Sequence, residues 1–363
     1  MKRGHFIGLD THCQFAELAV VTHGGRTTKH ARRAMTIPAI VEELQSIARP
    51  RYLVIEEGPL ADWLWRNLRS QVDEMQVCDP RRNRLVCQEG DKDDPIDAEK
   101  LAQLYRGGYT KAVHHAESSY RSVFKQHVML YHDRVRHRVA EGHRLVSLLR
   151  RHGVVVRERN FANPQERDGL LRRLPNSRTL RADVRVLWKG YDVAVLQEEW
   201  MRRRLVQLAK KEEVLQRMVT LPGIGWVRAA TLWVWLDTPW RFAKKQALWK
   251  YLGIGLERRR SGNGPEKVRV PVHVNRVLKS TILGAAKSAA AQGKNPFADQ
   301  YRRWLAAGLS PKMARRNVAR SLALTWWGMW KNGSAYRPEW VGVAAAAVHA
   351  AKGFTAAAGC ALV

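Results

Sequence analysis

Acidic residues are scarce in this chain: 33 Asp plus Glu stand against 63 Lys plus Arg in 363 residues, a formal net charge of +30. That excess goes far beyond what solubility requires and points to a polyanionic partner. Cysteine is scarcer still. Cys13, Cys78, Cys87 and Cys360 form no CxxC pair and no zinc-finger spacing, which excludes a disulfide framework or a cysteine-built structural zinc and suits a reducing cytosol. No apolar run reaches the length needed to cross a bilayer, and Met1-Lys-Arg-Gly-His5 leads into a strand-like segment without a signal peptide, so no membrane partner is expected. What is present is ample apolar material, 45% of residues, in a length that accommodates two or three domains.

In chain order, alternating apolar residues predict strands at Phe6–Asp10 and Phe15–Thr22, and Gly24-Gly25 turns the chain towards a third strand around Thr27–Thr36. Helical spacing over Pro38–Ala48, a buried strand Tyr52–Gly58, a helix from Ala61 to about Ser70 and a strand Met75–Cys78 follow. The next helix opens at Asp94-Pro95-Ile96-Asp97, with Pro95 suited to a first helical position and Asp94 to the N-cap. Three strands, helix, strand, helix, strand, helix is an order that fits a ribonuclease-H-like α/β fold, with ligands at the carboxyl ends of the strands.

Carboxylates end those strands. Asp10 closes the first, Glu56 closes the next central one, and Asp94 and Asp97 project from one end of the following helix, so four acids can converge. Such a cluster repels itself unless cations are bound, and two Mg²⁺ ions about 4 Å apart would neutralise it and activate an oxygen nucleophile for attack on a phosphodiester. Residue by residue the plainer reading is a helix cap at Asp94 and Asp97, a turn residue at Asp10 and a solvated strand end at Glu56.

From about Ser118 to Gly153 the character changes. Val128, Tyr131, Val135, Arg138, Gly142, Leu145 and Leu149 fall at spacings of three and four, and Leu205, Leu208, Glu212, Leu215 and Val219 repeat the pattern after a loop-like stretch around Asn160–Asn176. A coiled-coil hairpin and an ordinary helical subdomain both fit. Leu221-Pro-Gly-Ile-Gly225 then places Gly223 and Gly225 at a turn whose backbone N–H groups suit a phosphate, or which merely connects two helices. Trp226, Trp233, Trp235, Trp240 and Trp249 flank it, mostly as core, with one or two free to stack on bases. Further on, Arg258, Arg259 and Arg260 precede Ser261 in a Gly-rich loop, with Lys267 and Arg269 beyond it. The arginines would bind a phosphate, whereas a serine in such a loop is by itself an ordinary turn residue. Amphipathic helices over 277–332 carry Tyr301, Arg302, Lys312, Arg315, Arg316 and Arg320, suited to phosphates or to solvated faces. The Ala- and Gly-rich end reads as a weakly structured, dispensable tail.

Two motif sets carry a resemblance. Gly8-Leu-Asp-Thr-His12, Ile55-Glu-Glu-Gly58, Cys78-Asp-Pro80 followed by Arg81, Arg82 and Arg84, and Lys92-Asp-Asp-Pro-Ile-Asp-Ala98 resemble the RuvC-like domain of the DEDD transposases of insertion-sequence family one-hundred-and-ten, which includes pilin-gene invertase relatives. Leu221-Pro-Gly-Ile-Gly225, Arg241-Phe242, Leu252-Gly253 and Ser261-Gly262 resemble the C-terminal transposase domain of the same family. The resemblance implies that Asp10, Glu56, Asp94 and Asp97 bind Mg²⁺, with Glu57 as the alternative to Glu56, and that Ser261 is a nucleophile forming a covalent phosphoserine link to DNA. Arg81, Arg82, Arg84, Gly223, Gly225, Arg258, Arg259, Arg260 and Lys267 are the expected nucleic-acid contacts.

The implied organisation is a RuvC-like domain over 1–112, a coiled-coil insertion over 113–215, a mainly helical transposase domain over 216–340 and the tail over 341–363. The implied partners are donor and target double-stranded DNA, a structured bridge RNA and further copies of the chain, as a dimer or tetramer. The setting is the cytoplasm of a bacterium or archaeon, in association with the nucleoid. Two rival readings are a Mg²⁺-dependent junction nuclease using the four acids and water, with Ser261 a bystander, and a non-enzymatic nucleic-acid-binding protein.

Overall fold

Alternation of apolar residues along the first hundred positions builds a mixed sheet. The computed structural model describes residues 2–81, 83, 94–116, 118–259, 267–271, 273–339 and 341. The chain divides into two compact units at Ser118/Ser119.

In the first unit, β1 (His5–Thr11), β2 (Phe15–Thr22) and β3 (Thr27–Ala34) form an antiparallel meander. They are followed by α1 (Ile37–Gln45), β4 (Arg51–Glu56), α2 (Ala61–Leu68), β5 (Glu74–Cys78) and α3 (Asp94–Arg106). Among the described residues the sheet order is β3-β2-β1-β4-β5, with β4 parallel to β1 and β5 parallel to β4. Because successive side chains of a strand point to opposite faces, the strands contribute two separate cores. Ile7, Leu9, Leu53, Ile55 and Val77 pack with Ile40 and Leu44 of α1 and Leu64 and Leu68 of α2. Phe6, Val21, Val54 and Cys78 face the other way and pack with Leu101, Ala102 and Tyr105 of α3.

Gly8 decides how closely α3 seats on that second face. A Cβ there would overlap the Ala98 carbonyl oxygen and come within 2.8 Å of the Ala102 nitrogen. The helix backbone therefore rests directly on β1, and one turn before Ala98 along the same side of the helix is Asp94.

Among the described residues the second unit is helical apart from one short hairpin. It opens with α4 (Ser119–Arg151), α5 (Glu158–Ala162), α6 (Pro164–Arg172) and α7 (Arg178–Ala209). Later residues of α4 meet earlier residues of α7: His127 reaches Met201, Arg138 pairs with Glu198 at 2.5 Å, and Glu141 approaches Gly190, so the two long helices run antiparallel. At one end, Leu145 and Leu149 pack with Val184 and Trp188 and with Phe161, Leu170 and Leu171 of the short helices. Two expectations are corrected here. The stretch around Asn160–Asn176 contains α5 and α6 rather than loop, and the second long helix begins at Arg178 and ends at Ala209, so of the second predicted seam only Leu205 and Leu208 belong to it. Ser177 starts that helix by accepting a hydrogen bond from the Leu180 N–H at 3.2 Å.

The chain continues through α8 (Glu213–Met218), α9 (Trp226–Leu236), α10 (Lys245–Tyr251), β6 (Glu257–Arg259), β7 (Lys267–Arg269), α11 (Arg276–Ala291), α12 (Pro296–Ala306) and α13 (Pro311–Asn332). These helices share one core with Phe124 and Val128 of α4 and Leu205 and Ala209 of α7. Arg260 to Glu266, including Ser261, lie outside the described residues, as do Arg82, Arg84 and the tail beyond Val341.

His132 of α4 is half-buried, 2.9 Å from the hydroxyl of the buried Thr231. Burial, reinforced by the Arg136 charge, lowers its pKa to about 4 from 6.5. A base whose folded value is depressed contributes stability above its unfolded value and loses that contribution as pH falls through the folded one. We expect the second unit to lose roughly 2 kcal/mol between about pH 6.5 and pH 4 through this residue, after allowing for solvent screening. Denaturant titrations of wild type and His132→Gln check this: the acid-side loss should be smaller in the variant, and equal slopes in that window would contradict it.

Candidate functional site

In the first unit the carboxyl ends of β1 and β4 lie side by side, because Leu9 pairs with Ile55 in parallel register. Asp10 and Glu56 each follow their member of that pair, so both side chains point to the face covered by α3. Helix α3 carries Asp94 and Asp97 in its first turn, and the close contact at Gly8 brings that turn to the strand ends.

The structure joins Asp10, Asp94 and His12 into one cluster, with one ligand atom from each within 4.8 Å of the others. The His12 Nε2 atom stands 3.1 Å from Asp10 Oδ2 and 3.5 Å from Asp94 Oδ1. All three side chains are half-buried. Their ligand atoms are open to water, yet their backbones are fixed by a sheet and a helix. Stacking of His12 on Phe15, with ring centroids 4.6 Å apart, holds the imidazole in place.

Glu56 and Asp97 are not members of that three-residue cluster. Glu56 is exposed and accepts a hydrogen bond at 2.8 Å from the Asn83 side-chain amide, which also reaches Cys78 Sγ at 3.1 Å. Asn83 is buried, and its own side-chain oxygen has no hydrogen-bond partner among the described residues. Burial, more than the nearby Glu56 and Asp79 charges, raises the Cys78 thiol to about 11 even though it accepts the Asn83 hydrogen bond, so it is a core group and not a nucleophile. Glu57 is engaged elsewhere, 2.7 Å from His115 Nε2.

His12 and Asn83 were not singled out from the sequence for the acidic site. His12 carried a signal, since it is two residues after Asp10 and extended backbone returns to the same face every second residue. Asn83 carried none, because its role depends on a fold-back of the chain towards β4.

Whether these residues suit a divalent cation follows from their chemistry. Mg²⁺ is held by one or two carboxylates and keeps several waters for itself and for substrate phosphates. Asp10 and Asp94, half-buried on a strand and a helix, meet that requirement, with Glu56 at the end of the neighbouring strand β4 and Asp97 on α3. His12 can donate only one N–H to a pair of acids whose charges a divalent cation would offset in full.

In the second unit, Gly225 is the N-cap of α9, and a Cβ there would meet nothing within 4 Å. Gly223 has a left-handed φ of 79°, and a Cβ would overlap the Ala285 carbonyl oxygen and lie 2.9 Å from the Ala289 nitrogen. Packing against α11 therefore requires glycine at 223. Arg228 secures this turn through Nη1, which donates to the Gly223 carbonyl at 2.7 Å and to Ser288 Oγ at 2.9 Å. Asn275 caps α11 by accepting from the Val277 and Leu278 N–H groups, and Arg241 donates to the Trp235 carbonyl at 2.9 Å. Strands β6 and β7 pair Arg258 with Val268 and Arg259 with Lys267, so the expected phosphate contacts at 258, 259 and 267 lie on the two arms of one hairpin. Of the five tryptophans near the glycine turn, Trp233 is buried and Trp240 is 70% exposed. Arg81, in the first unit, is exposed.

This segment resembles a known family. Residues 215–302 match the family model described as "Transposase IS116/IS110/IS902 family". Residues 215–302 thus carry a domain of that transposase family. No curated protein matches the chain. The matched part of the chain spans the glycine turn, α9 to α11, the β6–β7 hairpin and the Asn275 cap. The acidic cluster lies outside it, in the first unit. A transposase domain implies a DNA substrate, which agrees with the 63 basic residues against 33 acidic ones. Among the described residues no helix is long and apolar enough to cross a membrane.

Proposed function

We propose that this transposase cuts and rejoins DNA through a composite site, in which the acids of the first unit bind Mg²⁺ and Ser261 of the second attacks the phosphodiester. The single observation that carries the reading is the meeting of Asp10 and Asp94, contributed by different elements, at the carboxyl edge of a sheet ordered β3-β2-β1-β4-β5. That strand order, with one antiparallel meander and two parallel strands, supports a RuvC-like, ribonuclease-H-like assignment. The position of Glu56 on the α3 face, with Glu57 bound to His115, favours Glu56 as the third acid. Asp97 then completes the set from the first turn of α3.

The residues divide the work. Asp10 and Asp94 would hold the cation, Glu56 and Asp97 would support it, and a bound Mg²⁺ supplies electrostatic stabilisation to a reacting phosphate. Ser261 Oγ forms a bond to phosphorus as the bond from phosphorus to the leaving strand's oxygen breaks; the serine proton leaves and the departing oxygen gains one. The resulting phosphoserine keeps the strand attached until a second strand's hydroxyl reverses the step. Its assignment rests on the family resemblance of Ser261-Gly262. Gly225, at the head of α9, and Arg258, Arg259, Arg260 and Lys267 would bind the DNA backbone around it, as would Arg81, Arg82 and Arg84 in the first unit.

The antiparallel pair α4 and α7 serves as the coiled-coil insertion through which copies of the chain associate, and a structured bridge RNA pairs with donor and target DNA. The net charge of +30 is compatible with carrying both nucleic acids.

The experiment that tests this reading is strand cleavage of a DNA carrying the element's junction, with flanking-region RNA, under chelation. EDTA should abolish cleavage and Mg²⁺ should restore it. Cleavage that persists in EDTA would contradict the metal assignment.

A further inference from the structure

Helix α13 carries two arginines that the proposed chemistry does not use. Arg316 and Arg320 are four residues apart and so share one side of the helix. Both are half-buried, and neither forms an ion pair with a carboxylate among the described residues. Arg320 donates through Nε to the Ile254 carbonyl at 2.9 Å and through Nη1 to Asn317 Oδ1 at 3.2 Å. Its remaining buried nitrogen, Nη2, has no partner among the described residues, and neither does Nε of Arg316. Burial, and after it the Arg316 charge, lowers the pKa of Arg320.

This arrangement is unfavourable on its own terms. Two like charges at helical i,i+4 spacing repel, and a buried guanidinium N–H without an acceptor retains its full desolvation penalty. An anion seated against the two half-buried guanidinium groups offsets the like-charge repulsion. A phosphodiester has two non-bridging oxygens and one negative charge, and the planar arginine fork matches such a group. The location also fits, because Ile254 precedes β6 by only three residues and Trp249 donates through Nε1 to the Arg320 carbonyl at 3.3 Å, tying α13 to the foot of the hairpin.

We propose that Arg316 and Arg320 form a phosphate-binding pair that takes one backbone phosphate of the DNA substrate at the foot of the β6–β7 hairpin. The choice of DNA rests on the transposase reading. The pair lies beyond residues 215–302, so the family match itself assigns nothing to it.

The test measures binding of the full-length chain to a short DNA duplex of arbitrary sequence over a range of salt concentrations, beside thermal melting. Arg316→Gln leaves both Arg320 hydrogen bonds in place. It should weaken binding several-fold and reduce the slope of log K against log salt by about one, while melting no lower than wild type because the like-charge neighbour is gone. Arg316→Gln/Arg320→Gln should reduce the slope by about two. The charge-matched control is Arg303→Gln/Lys312→Gln, at exposed positions, and it should move the slope less. A double variant that tracks this control overturns the pair, as does an Arg316→Gln protein whose melting temperature falls in step with its affinity. An effect on an RNA duplex of the same sequence but not on DNA overturns the assignment to DNA. A wild-type chain that fails to bind DNA overturns the transposase reading together with the pair, whereas normal wild-type binding with an unaffected double variant overturns the pair alone.

Discussion

Gly8→Val is expected to detach α3 from the sheet and to destabilise the first unit by at least about 3 kcal/mol. The atoms that a side chain would meet are the Ala98 carbonyl oxygen, the Ala98 carbonyl carbon at 3.1 Å and the Ala102 nitrogen at 2.8 Å. All belong to helix backbone, so no rotamer change relieves the overlap and the helix must lift as a body. Lifting it exposes Leu101, Ala102 and Tyr105 and uncovers Phe6 and Val54, which adds lost burial to the steric cost. It also moves Asp94 away from Asp10. Denaturant unfolding should therefore show a lower midpoint for the first unit. Stabilisation of the protein by Mn²⁺ or Mg²⁺, read as a rise in melting temperature, should be lost in the same variant. Gly58→Ala in the same unit, where a Cβ meets nothing within 4 Å, should stay within about 1 kcal/mol of wild type. Equal losses at the two positions would show that the close approach of α3 does not organise the site.

Much of this unit was legible because its signals are local. The period-two runs of β1, β2 and β4, the Gly24-Gly25 turn and the helical spacing of α1 and α2 each report a backbone geometry that sequence neighbours determine, and the element order read from them is the order found. Asp10 and Asp94 were legible as strand-end and helix-start acids, and the structure places them together with His12. What could not be read depends on contacts distant in sequence. Asn83 reaches Glu56 only after the chain returns past β5, and the need for glycine at 223 comes from Ala285 and Ala289, some sixty residues further along the chain. Helix α7 was missed as a continuous 32-residue element because its buried positions, Val184, Trp188, Tyr191, Ala194, Met201 and Leu205, are spread among arginines and glutamates and interrupted by Gly190. Short helices such as α5 have little intrinsic stability and form because Phe161 finds a core between α4 and α7.

The second large effect concerns the chemistry. Asp10→Asn keeps the size and shape of the side chain but removes a charge, so the sheet and α3 should be retained while the affinity for a divalent cation falls. If electrostatic stabilisation of the reacting phosphate depends on that cation, strand cleavage should drop by roughly a thousandfold or more. Ser261→Ala should abolish the covalent link for a different reason, since no other group is assigned to bond phosphorus, and it should leave metal binding intact. The two variants thus separate the metal-binding half of the site from the nucleophile.

The central claim, a composite site in which acids and serine act together, is tested most directly by trapping the intermediate. Labelled DNA carrying the element's junction is incubated with the protein, flanking-region RNA and Mg²⁺, then denatured and resolved by size. The account predicts label migrating with wild-type protein, and none with either Asp10→Asn or Ser261→Ala. Cleaved DNA without any protein-linked label, produced equally by Ser261→Ala, would contradict it and leave a metal-dependent nuclease that uses the acids and water alone.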